Sequence, residues 1–235
     1  RQRKQLAEEL RLRTQTLRLN EMFMGVLGHD LRNPLNAIML NANYLNTFDD
    51  ANTRAIAGSI LESGARMSRM IQDLLDVTRA RSGGGLQALR EPGDLDRIVL
   101  CVVNEHRAAH EHRLEFSVTG NCSGQWDGDR LAQAVSNLLG NAFHHGDGDG
   151  VVSLCLDGAQ DDRVVITVRN RGEIPAQLLP SLFDPFVRKQ EHAKPATGLG
   201  LGLYIVQQIV QAHGGRIDMQ SRDGFTEAVV VLPRA

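Results

Sequence analysis

A histidine and an aspartate stand side by side at positions 29 and 30, in the segment GHDLRNPLNAI. The segment is predicted to be helical, and at about 100° per residue the His29 ring points away from the apolar face that carries Leu27 and Leu31. A neutral imidazole is a nucleophile, and a neighbouring carboxylate can hold its second ring N–H and stabilise the cation that forms. Asn33 follows one turn later on the same side. Taken alone, an exposed helical histidine is more often a plain surface residue, so the pair needs support from the rest of the chain.

Pro34 lies in the same predicted helix, five residues after His29. It has no N–H, so the carbonyl of Asp30 loses its helical partner and the helix is predicted to bend there. A solvent-facing histidine beside a bend is accessible to a second protein.

An asparagine pair opens a second candidate site in SNLLGNAFHHG. Asn137 and Asn141 are four residues apart on one helix face, while Leu138, Leu139 and Ala142 are predicted to face inward. Amide oxygens are hard ligands that suit phosphate-bound Mg²⁺. A solvated helix face explains the same spacing at least as often.

Three further segments follow in order: VRNRGEIP with Asn170 to Pro175 at the end of a strand, LFDPF, and TGLGLGLYIV. Gly198, Gly200 and Gly202 allow the backbone to approach phosphates and lead into a helix N-terminus that favours anions. By itself the glycine run is equally consistent with a flexible hinge. The chain has no GxxxxGK[ST] segment, and GLGLGL lacks the GxGxxG spacing.

Composition limits the function classes. The 235-residue chain is 42% hydrophobic, and its 26 basic and 28 acidic residues give a net charge of −2, which argues against nucleic acid as a partner. No apolar run reaches the length of about 18 residues that a membrane span needs, so no membrane contact is expected of this segment. Cys101, Cys122 and Cys155 form no CxxC pair and are expected to be buried small hydrophobes in a reducing compartment.

Helical periodicity dominates the first third of the chain. A heptad seam with two polar positions runs through Leu6, Leu10, Arg13, Leu17, Asn20, Met24, Leu27 and Leu31. After the break TFDDANT, a second amphipathic stretch carries Ile56, Ile60, Met67, Met70, Leu74 and Val77 on one face. Two antiparallel helices with exposed apolar faces predict a dimeric four-helix bundle.

The run SGGG predicts a hinge, after which helices and strands alternate. Helices are predicted over Leu95 to Ala109, Asp129 to His144 and Leu201 to His213, and strands over Arg113 to Thr119, Val151 to Leu156, Val164 to Val168, near Ile217, and over Ala228 to Leu232. The class is α+β, a mixed sheet with helices on one face. His106, His110 and His112 are interpreted as a mixed exposed helix end rather than a metal site, because neither cysteine nor carboxylate geometry supports one.

GHDLRNPL resembles, almost letter for letter, the phospho-accepting box of two-component sensor histidine kinases. The resemblance implies that His29 accepts a phosphoryl group, that Asp30 is its orienting base, and that Asn33 places a water for the reverse, phosphatase reaction. The four later segments resemble, in order, the asparagine, first glycine, phenylalanine and second glycine boxes of the Bergerat-type ATP-binding domain. That domain is shared by histidine kinases, gyrase-type topoisomerases, mismatch-repair ATPases and heat-shock chaperones.

This second resemblance implies ATP and Mg²⁺ as cofactors, with Asn141 as the metal ligand. The cofactor-binding residues it implies are Asn137, Asn141, His144, Asn170, Gly172, Arg188, Lys189, Gly198, Gly200, Gly202 and Thr226. Residues 187–197 would form a mobile lid anchored by Phe183 and Phe186. Arg188, Lys189 and Lys194 are phosphate contacts from that lid or, equally, solvated charges.

The chain departs from the family pattern at three places. Asn170 stands where an aspartate usually accepts the adenine amino group, and an amide oxygen can accept the same hydrogen bond. His144 replaces a basic residue, so its charge depends on pH. The last box, usually glycine then threonine, has Phe225 and Thr226, with Gly224 displaced by one.

Two rival functions are set against the kinase. Hydrolases of the gyrase or chaperone kind place a glutamate four residues before the metal asparagine, but Asn137 cannot act as a base. A dimeric interaction module that binds nucleotide without kinase activity is the other alternative, and the His29–Asp30 pair argues against it.

The sequence thus predicts a protein histidine kinase that transfers its phosphoryl group to an aspartate of a response regulator, with possible phosphatase activity. Its predicted parts are a coiled-coil signalling helix (1–20), a dimerisation and phosphotransfer hairpin (21–82), a hinge (83–93) and a catalytic ATP-binding domain (94–235). Expected partners are a second copy of the chain, the response regulator and an upstream sensor domain. A cytoplasmic location is expected, with membrane anchoring only through a region upstream.

Overall fold

The computed structural model describes residues 31–48, 50–80, 85–110, 113–148, 150–186 and 199–234. The chain divides into two compact units, Arg1–Gly85 and Leu86–Ala235. The predicted coiled coil over 1–20, His29 and Asp30 lie outside the described residues.

The first unit contains an antiparallel helical hairpin. Helix α1 passes through residues 31–45, and α2 spans Ala51–Arg79. The Asp50 carboxylate begins α2 by accepting hydrogen bonds from the Thr53 N–H at 2.8 Å and the Thr53 hydroxyl at 2.6 Å. Arg32 contacts Gln72, whereas Met39 lies against Gly64, so the two helices run in opposite directions.

A narrow stripe of small and apolar residues joins the two helices. Leu35 and Ala42 of α1 are buried, as are Ala57, Gly64 and Leu75 of α2. A methyl group on Gly64 would lie 2.7 Å from Met39 Cγ, so the absence of a side chain there permits the close approach of the helices.

A second apolar face of the hairpin is open to solvent. Leu31, Ile38 and Leu45 recur every seven residues along α1, and Ile56 and Met67 lie along α2; all are exposed in the single chain. Helical geometry turns the Ile56–Met67 line about 90° away from the buried line through Ala57 and Gly64. Two packing faces on one helix are typical of a helix in a bundle of more than two.

A polar cluster lies between α1 and α2. The Arg32 guanidinium donates to the Gln72 side-chain oxygen, and Gln72 donates to the fully buried Asp76 carboxylate at 3.0 Å. Burial, reinforced by the charge of Asp76 and opposed by that of Arg69, raises the pKa of Asp73 to about 6.

The second unit is built on a five-stranded sheet of order β2-β4-β5-β7-β6. Its strands are β2 Leu114–Gly120, β4 Val152–Gly158, β5 Arg163–Arg171, β6 Arg216–Arg222 and β7 Phe225–Pro233. The β2–β4 pair is parallel and the other pairs are antiparallel. Strands β1 Glu91–Asp94 and β3 Ser123–Trp126 form a separate antiparallel pair.

Helices α3 Leu95–Ala109, α4 Gly128–His145 and α5 Gly202–Ala212 cover one face of the sheet. Alternate residues of β4, β5 and β7 are buried beneath them, as the period of two in a strand requires. The core also receives Val99 from α3, Leu139 from α4 and Ile205 from α5. The predicted α+β class, with helices on one face of a mixed sheet, is confirmed.

Two details differ from the expectations. Residues 91–93, placed in the predicted hinge, form with Asp94 a strand paired with β3, and the second unit begins at Leu86. The letters EPGD and SGQW carry proline and glycine and lack apolar alternation, so they give no strand signal. Of the cysteines, Cys122 is buried, but Cys101 is exposed because it falls on the outer face of α3.

Among the described helices, none is both long and apolar enough to cross a membrane.

Candidate functional site

The asparagine pair lies where α4 meets the beginning of α5. The position of a methyl group on Gly202 would be 3.8 Å from Asn137 Cγ and 3.8 Å from Asn141 Nδ2. Leu138, Leu139 and Ala142 are buried, as predicted, and α4 therefore turns its amide face toward α5. The asparagine pair and the glycine run, which were proposed from separate sequence segments, are thus brought together at Gly202.

Asn137 carries a buried polar atom that lacks a partner. Its Nδ2 has no hydrogen bond within the described part of the chain. A buried amide donor without an acceptor costs about 1–3 kcal/mol, so this arrangement is expected where a ligand supplies the acceptor.

The N-terminus of α5 presents backbone N–H groups that no described side chain caps. Leu201 is its N-cap residue and provides no side-chain cap, and no acidic residue lies in the first turn. Gly200, just before it, has φ of +70°, a conformation that glycine adopts without strain. Uncapped N–H groups and the helix dipole together favour an anionic group at this point.

The ends of β5 and β7 form the other side of the site. Asn170 and Thr226 are opposite each other in the strand register, and both are buried although polar. The Thr226 hydroxyl donates to the Gly172 carbonyl at 2.8 Å. Gly172 has φ of +116°, and its Cα faces the end of α4 at His145 and Gly146. The strand end, the glycine turn and α4 are therefore in direct contact.

The residues present fit a nucleotide. Asn137 Nδ2, which has no partner among the described residues, and the uncapped α5 N-terminus suit phosphate oxygens, while Asn170 and Thr226 supply buried hydrogen-bonding groups. The Asn141 amide lies next to the same helix N-terminus, and an amide oxygen is a hard ligand of the kind that Mg²⁺ binds.

Comparison with known proteins agrees with this geometry. Residues 126–235 match the family described as histidine kinase-, DNA gyrase B-, and HSP90-like ATPase, and residues 19–83 match the His Kinase A (phospho-acceptor) domain. This chain belongs to the two-component histidine kinases.

Two curated relatives illustrate the kinship. A bacteriophytochrome of Pseudomonas aeruginosa is 37% identical over 97% of this chain and 33% of its own length. The probable sensor histidine kinase TcrY of Mycobacterium tuberculosis is 33% identical over 90% of this chain and 45% of its own length. The chain thus spans a third to a half of these relatives.

Solved structures give the same result. Full-length ShkA in complex with AMPPNP superposes with a TM-score of 0.71 at 25% identity, covering 91% of this chain and 46% of that one. The mycobacterial sensor histidine kinase MprB superposes with a TM-score of 0.52 at 28% identity, covering 62% of this chain and 97% of that one.

In this histidine kinase, Asn170 is held in one orientation. Its Nδ2 donates to the Arg171 carbonyl at 2.8 Å, and that carbonyl also accepts the Asp147 N–H at 3.0 Å. With Nδ2 engaged, the amide presents Oδ1 as its acceptor. The amide therefore has the hydrogen-bonding character of the aspartate that it replaces.

The displaced glycine of the last box has a structural reason. Asp223 and Gly224 have φ of +55° and +77°, which is the two-residue turn that joins antiparallel strands tightly. The Gly224 carbonyl accepts the Gly172 N–H at 2.9 Å, and its N–H donates to the Glu173 carboxylate at 2.7 Å. Gly224 thus forms the β6–β7 turn and ties it to the glycine turn after β5. Glu173 was not predicted, because no local pattern indicates such a long-range contact.

Other predicted residues are distributed as follows. His144 is exposed, and its ring centroid lies 4.7 Å from that of His145. Phe183 is half-buried and Phe186 exposed, and the Phe186 N–H donates to the Gly200 carbonyl at 3.0 Å. Asn33 is exposed on α1. His29, Asp30, Arg188, Lys189, Lys194, Gly198 and the proposed lid over 187–197 lie outside the described residues.

The histidines on α3 have other partners. His106 Nε2 is 3.1 Å from the Ser136 hydroxyl, and the His110 ring stacks on Phe143 with centroids 4.0 Å apart. Burial, with a smaller effect of the Arg113 charge, lowers the pKa of His110. Within the described ranges, no group of three or more histidine, cysteine, aspartate or glutamate side chains could hold a metal ion. His112 is outside those ranges.

Far from the nucleotide residues, the other ends of α4 and α5 are joined by a buried histidine. Asp127, the N-cap of α4, donates its N–H to His213 Nε2 at 3.1 Å, and His213 Nδ1 donates to the Ile209 carbonyl at 2.8 Å. The imidazole is therefore neutral with its proton on Nδ1. Burial lowers the pKa of His213 and outweighs the opposite effect of the Ile209 hydrogen bond.

Proposed function

We propose that this chain is the catalytic core of an ATP-dependent protein histidine kinase that phosphorylates His29. The observation that carries the proposal is the convergence of the unpaired Asn137 amide, Asn141 and Gly202 at the uncapped N-terminus of α5. Its place in a chain that also carries GHDLRNPL supports transfer to histidine rather than hydrolysis.

The proposed reaction is a phosphoryl transfer. A ring nitrogen of His29 attacks the γ-phosphorus of ATP, an N–P bond forms, and the bond to the β,γ-bridging oxygen breaks to release ADP. Asp30 would hold the other ring N–H and stabilise the imidazolium. Asn33 would place water for the reverse reaction on the response regulator.

In the nucleotide site, Asn141 would ligate Mg²⁺, which neutralises phosphate charge. Asn137 would donate to a phosphate oxygen, and Gly198, Gly200 and Gly202 would let the backbone approach the phosphates. Asn170 Oδ1 would accept a hydrogen bond from the adenine amino group, with Gly172 and Thr226 shaping that end. His144, Arg188 and Lys189 complete the proposed contacts.

We further propose that the hairpin dimerises. The exposed line through Ile38, Leu45, Ile56 and Met67 supports a second hairpin as the partner, because each chain would then bury the face that its own helices leave open. The phosphoryl group would pass from His29 to an aspartate of a response regulator. A sensor region elsewhere in the full protein and a cytoplasmic location, where ATP is available, complete the proposal.

The test is incorporation of label from γ-labelled ATP with Mg²⁺, comparing the chain with His29→Gln. Acid-labile label is expected in the unchanged chain and its loss in His29→Gln, because a phosphoramidate is hydrolysed in acid. The matched control is His106→Gln, which keeps a donor for Ser136 and should retain the label. Omission of Mg²⁺ should abolish labelling. Nucleotide binding without label in any of the three proteins would contradict the kinase and favour a nucleotide-binding interaction module.

A further inference from the structure

Arg113 holds the turn that follows α4. Its Nε and Nη2 each lie 3.2 Å from the Gly150 carbonyl, and Nη2 is 3.3 Å from the Asp147 carbonyl. The guanidinium carbon lies 5.6 Å from the centre of the Phe143 ring, which is nearly buried on α4. Arg113 immediately precedes β2, so it fixes the turn from the edge of the sheet.

The turn held by Arg113 is connected to the base-binding end of the site. Asp147, at its beginning, donates its N–H to the Arg171 carbonyl at 3.0 Å. The same carbonyl accepts Asn170 Nδ2 at 2.8 Å. Gly146 is also close, since a methyl group on it would lie 3.0 Å from Asn170 Nδ2. A short series of polar contacts therefore leads from Arg113 to the Asn170 amide.

The orientation of that amide decides which purine it can pair with. If Nδ2 remains on the Arg171 carbonyl, Oδ1 is the group available to a ligand, and it accepts from a 6-amino group. A 6-oxo group would place two acceptors against each other. If the amide rotated, Nδ2 would become available and the preference would weaken or reverse. Anything that fixes the Arg171 carbonyl and Gly146 therefore contributes to purine choice.

We propose that Arg113 is a positioning residue for purine recognition, which acts through the Asp147–Gly150 turn to keep Asn170 oriented toward a 6-amino purine. The inference rests on the proposed function, because it concerns the base end of the same nucleotide site. Arg113 itself does not touch the ligand in this account. A purely structural role would lower stability without changing the preference among bases.

The experiment measures the affinity of Arg113→Ala for three nucleotides that differ at C6 of the purine. These are ATP with an amino group, inosine triphosphate with an oxo group, and purine riboside triphosphate with hydrogen. Loss of one properly oriented hydrogen bond should lower the affinity for ATP about fivefold. Affinity for purine riboside triphosphate should change by less than about twofold, because it makes no contact at C6. Inosine triphosphate should bind at least as well as before, because a rotated amide can donate to its oxo group.

Arg97→Ala is the matched control, since Arg97 is an exposed arginine of the same unit whose contact is an ion pair with Asp94 at 3.5 Å. It should leave all three affinities unchanged. Arg113→Lys keeps the charge but cannot donate to both carbonyls through a planar fork, so its ATP affinity should be intermediate. This variant also serves if Arg113→Ala does not fold.

The outcomes separate the two proposals. An equal loss of affinity for all three nucleotides, or no loss at all, would overturn the positioning role while the nucleotide site itself stood. Failure of the unchanged chain to bind ATP would instead overturn the proposed function.

Discussion

The helical hairpin and the second unit, Leu86–Ala235, bury their apolar surface in different ways; the second unit is called the sheet unit below. In the sheet unit, three helices close over the strands, and Leu139, Leu156 and Ile205 are fully buried within one chain. In the hairpin, large side chains such as Ile38, Leu40 and Met67 remain exposed. A unit with its own core is expected to fold alone, whereas two helices with an open face need a partner. The difference separates the unit proposed to bind nucleotide from the unit proposed to dimerise.

The largest effect should come from the closed core. Ile205→Ala removes a fully buried side chain and should lower the free energy of unfolding of the sheet unit by about 3 kcal/mol. Leu40→Ala, at a position 70% exposed in the hairpin, should cost less than about 0.5 kcal/mol. Urea unfolding followed by the fluorescence of Trp126, the single tryptophan and a buried residue of β3, measures the Ile205→Ala variant. Unfolding of the helical circular dichroism signal measures the Leu40→Ala variant. Similar losses for both variants would remove the distinction between the units.

The second effect tests the open face. Met67→Lys should place a charge in the proposed dimer interface and weaken association by about 2–3 kcal/mol, roughly a hundredfold in the dissociation constant. Leu89→Lys makes the same kind of change at an apolar side chain of the sheet unit that is 82% exposed, and it should leave the dimer intact. Sedimentation equilibrium measures both. An unaltered dimer in Met67→Lys would show that another face mediates association.

The third expected effect is that the stabilities of the two units change in opposite directions with pH. The lowered pKa of His213 means that the unfolded sheet unit binds more protons, so its stability should fall as the pH decreases below about 6.5. The pKa of Asp73 is raised from 3.8 to about 6, so the folded hairpin binds more protons and should gain stability as the pH falls from about 6 to about 4. The hairpin effect should be about 1–2 kcal/mol, reduced by solvent screening at this half-buried side chain.

Urea unfolding at pH 7 and pH 5 checks these opposite slopes. Asp73→Asn should stabilise the hairpin at pH 7 and remove its dependence on pH, whereas His213→Asn should flatten the slope of the sheet unit. The His110 pKa is lowered as well, so part of that second slope should persist. Parallel slopes in the two units would contradict the assigned causes.

The smallest expected changes in the free energy of unfolding come from replacing two glycines of α2 by alanine. Gly58 has open space around it, so Gly58→Ala should stabilise the hairpin by about 1 kcal/mol through helix propensity. At Gly64 the new methyl group would lie 2.7 Å from Met39 Cγ, and this crowding should outweigh the same gain and leave a net loss of about 1 kcal/mol. Thermal unfolding of the hairpin, followed by its helical circular dichroism, measures both variants. Equal gains would mean that α1 and α2 separate easily.

Much of this architecture follows from local patterns. The helices of the sheet unit and the strands of its large sheet have strong periodicity, and their bounds lie close to the predicted ones. The small β1–β3 pair could not be predicted, because EPGD and SGQW have neither alternation nor β-branched residues and are strands through their pairing with each other.

In the candidate site, too, contacts between residues far apart in sequence could not be predicted from local patterns. Asn137, Asn141, Asn170 and Gly202 were proposed from segments with a recognisable order. The approach of the asparagine pair to Gly202, and of Asn170 to Gly146 at the end of α4, is a property of the fold. The contacts of Glu173 with Gly224, and of Arg113 with the Asp147–Gly150 turn, join residues far apart in sequence. Single charged residues in turns carry no periodic signal, so a pattern in one sequence does not identify them.

The hydrogen bond from the Phe186 N–H to the Gly200 carbonyl, 3.0 Å long, brings together the two residues that flank residues 187–199. A hydrogen bond between described residues therefore holds the two ends of this segment close together. Closing a longer loop costs only about 0.6 kcal/mol for each doubling of its length. The stretch between Phe186 and Gly200 is therefore a place where chain length is expected to vary at low cost in stability. We expect replacement segments of other lengths to cost the second unit little stability, although the proposed nucleotide contacts of Arg188, Lys189 and Gly198 would be lost with the present segment.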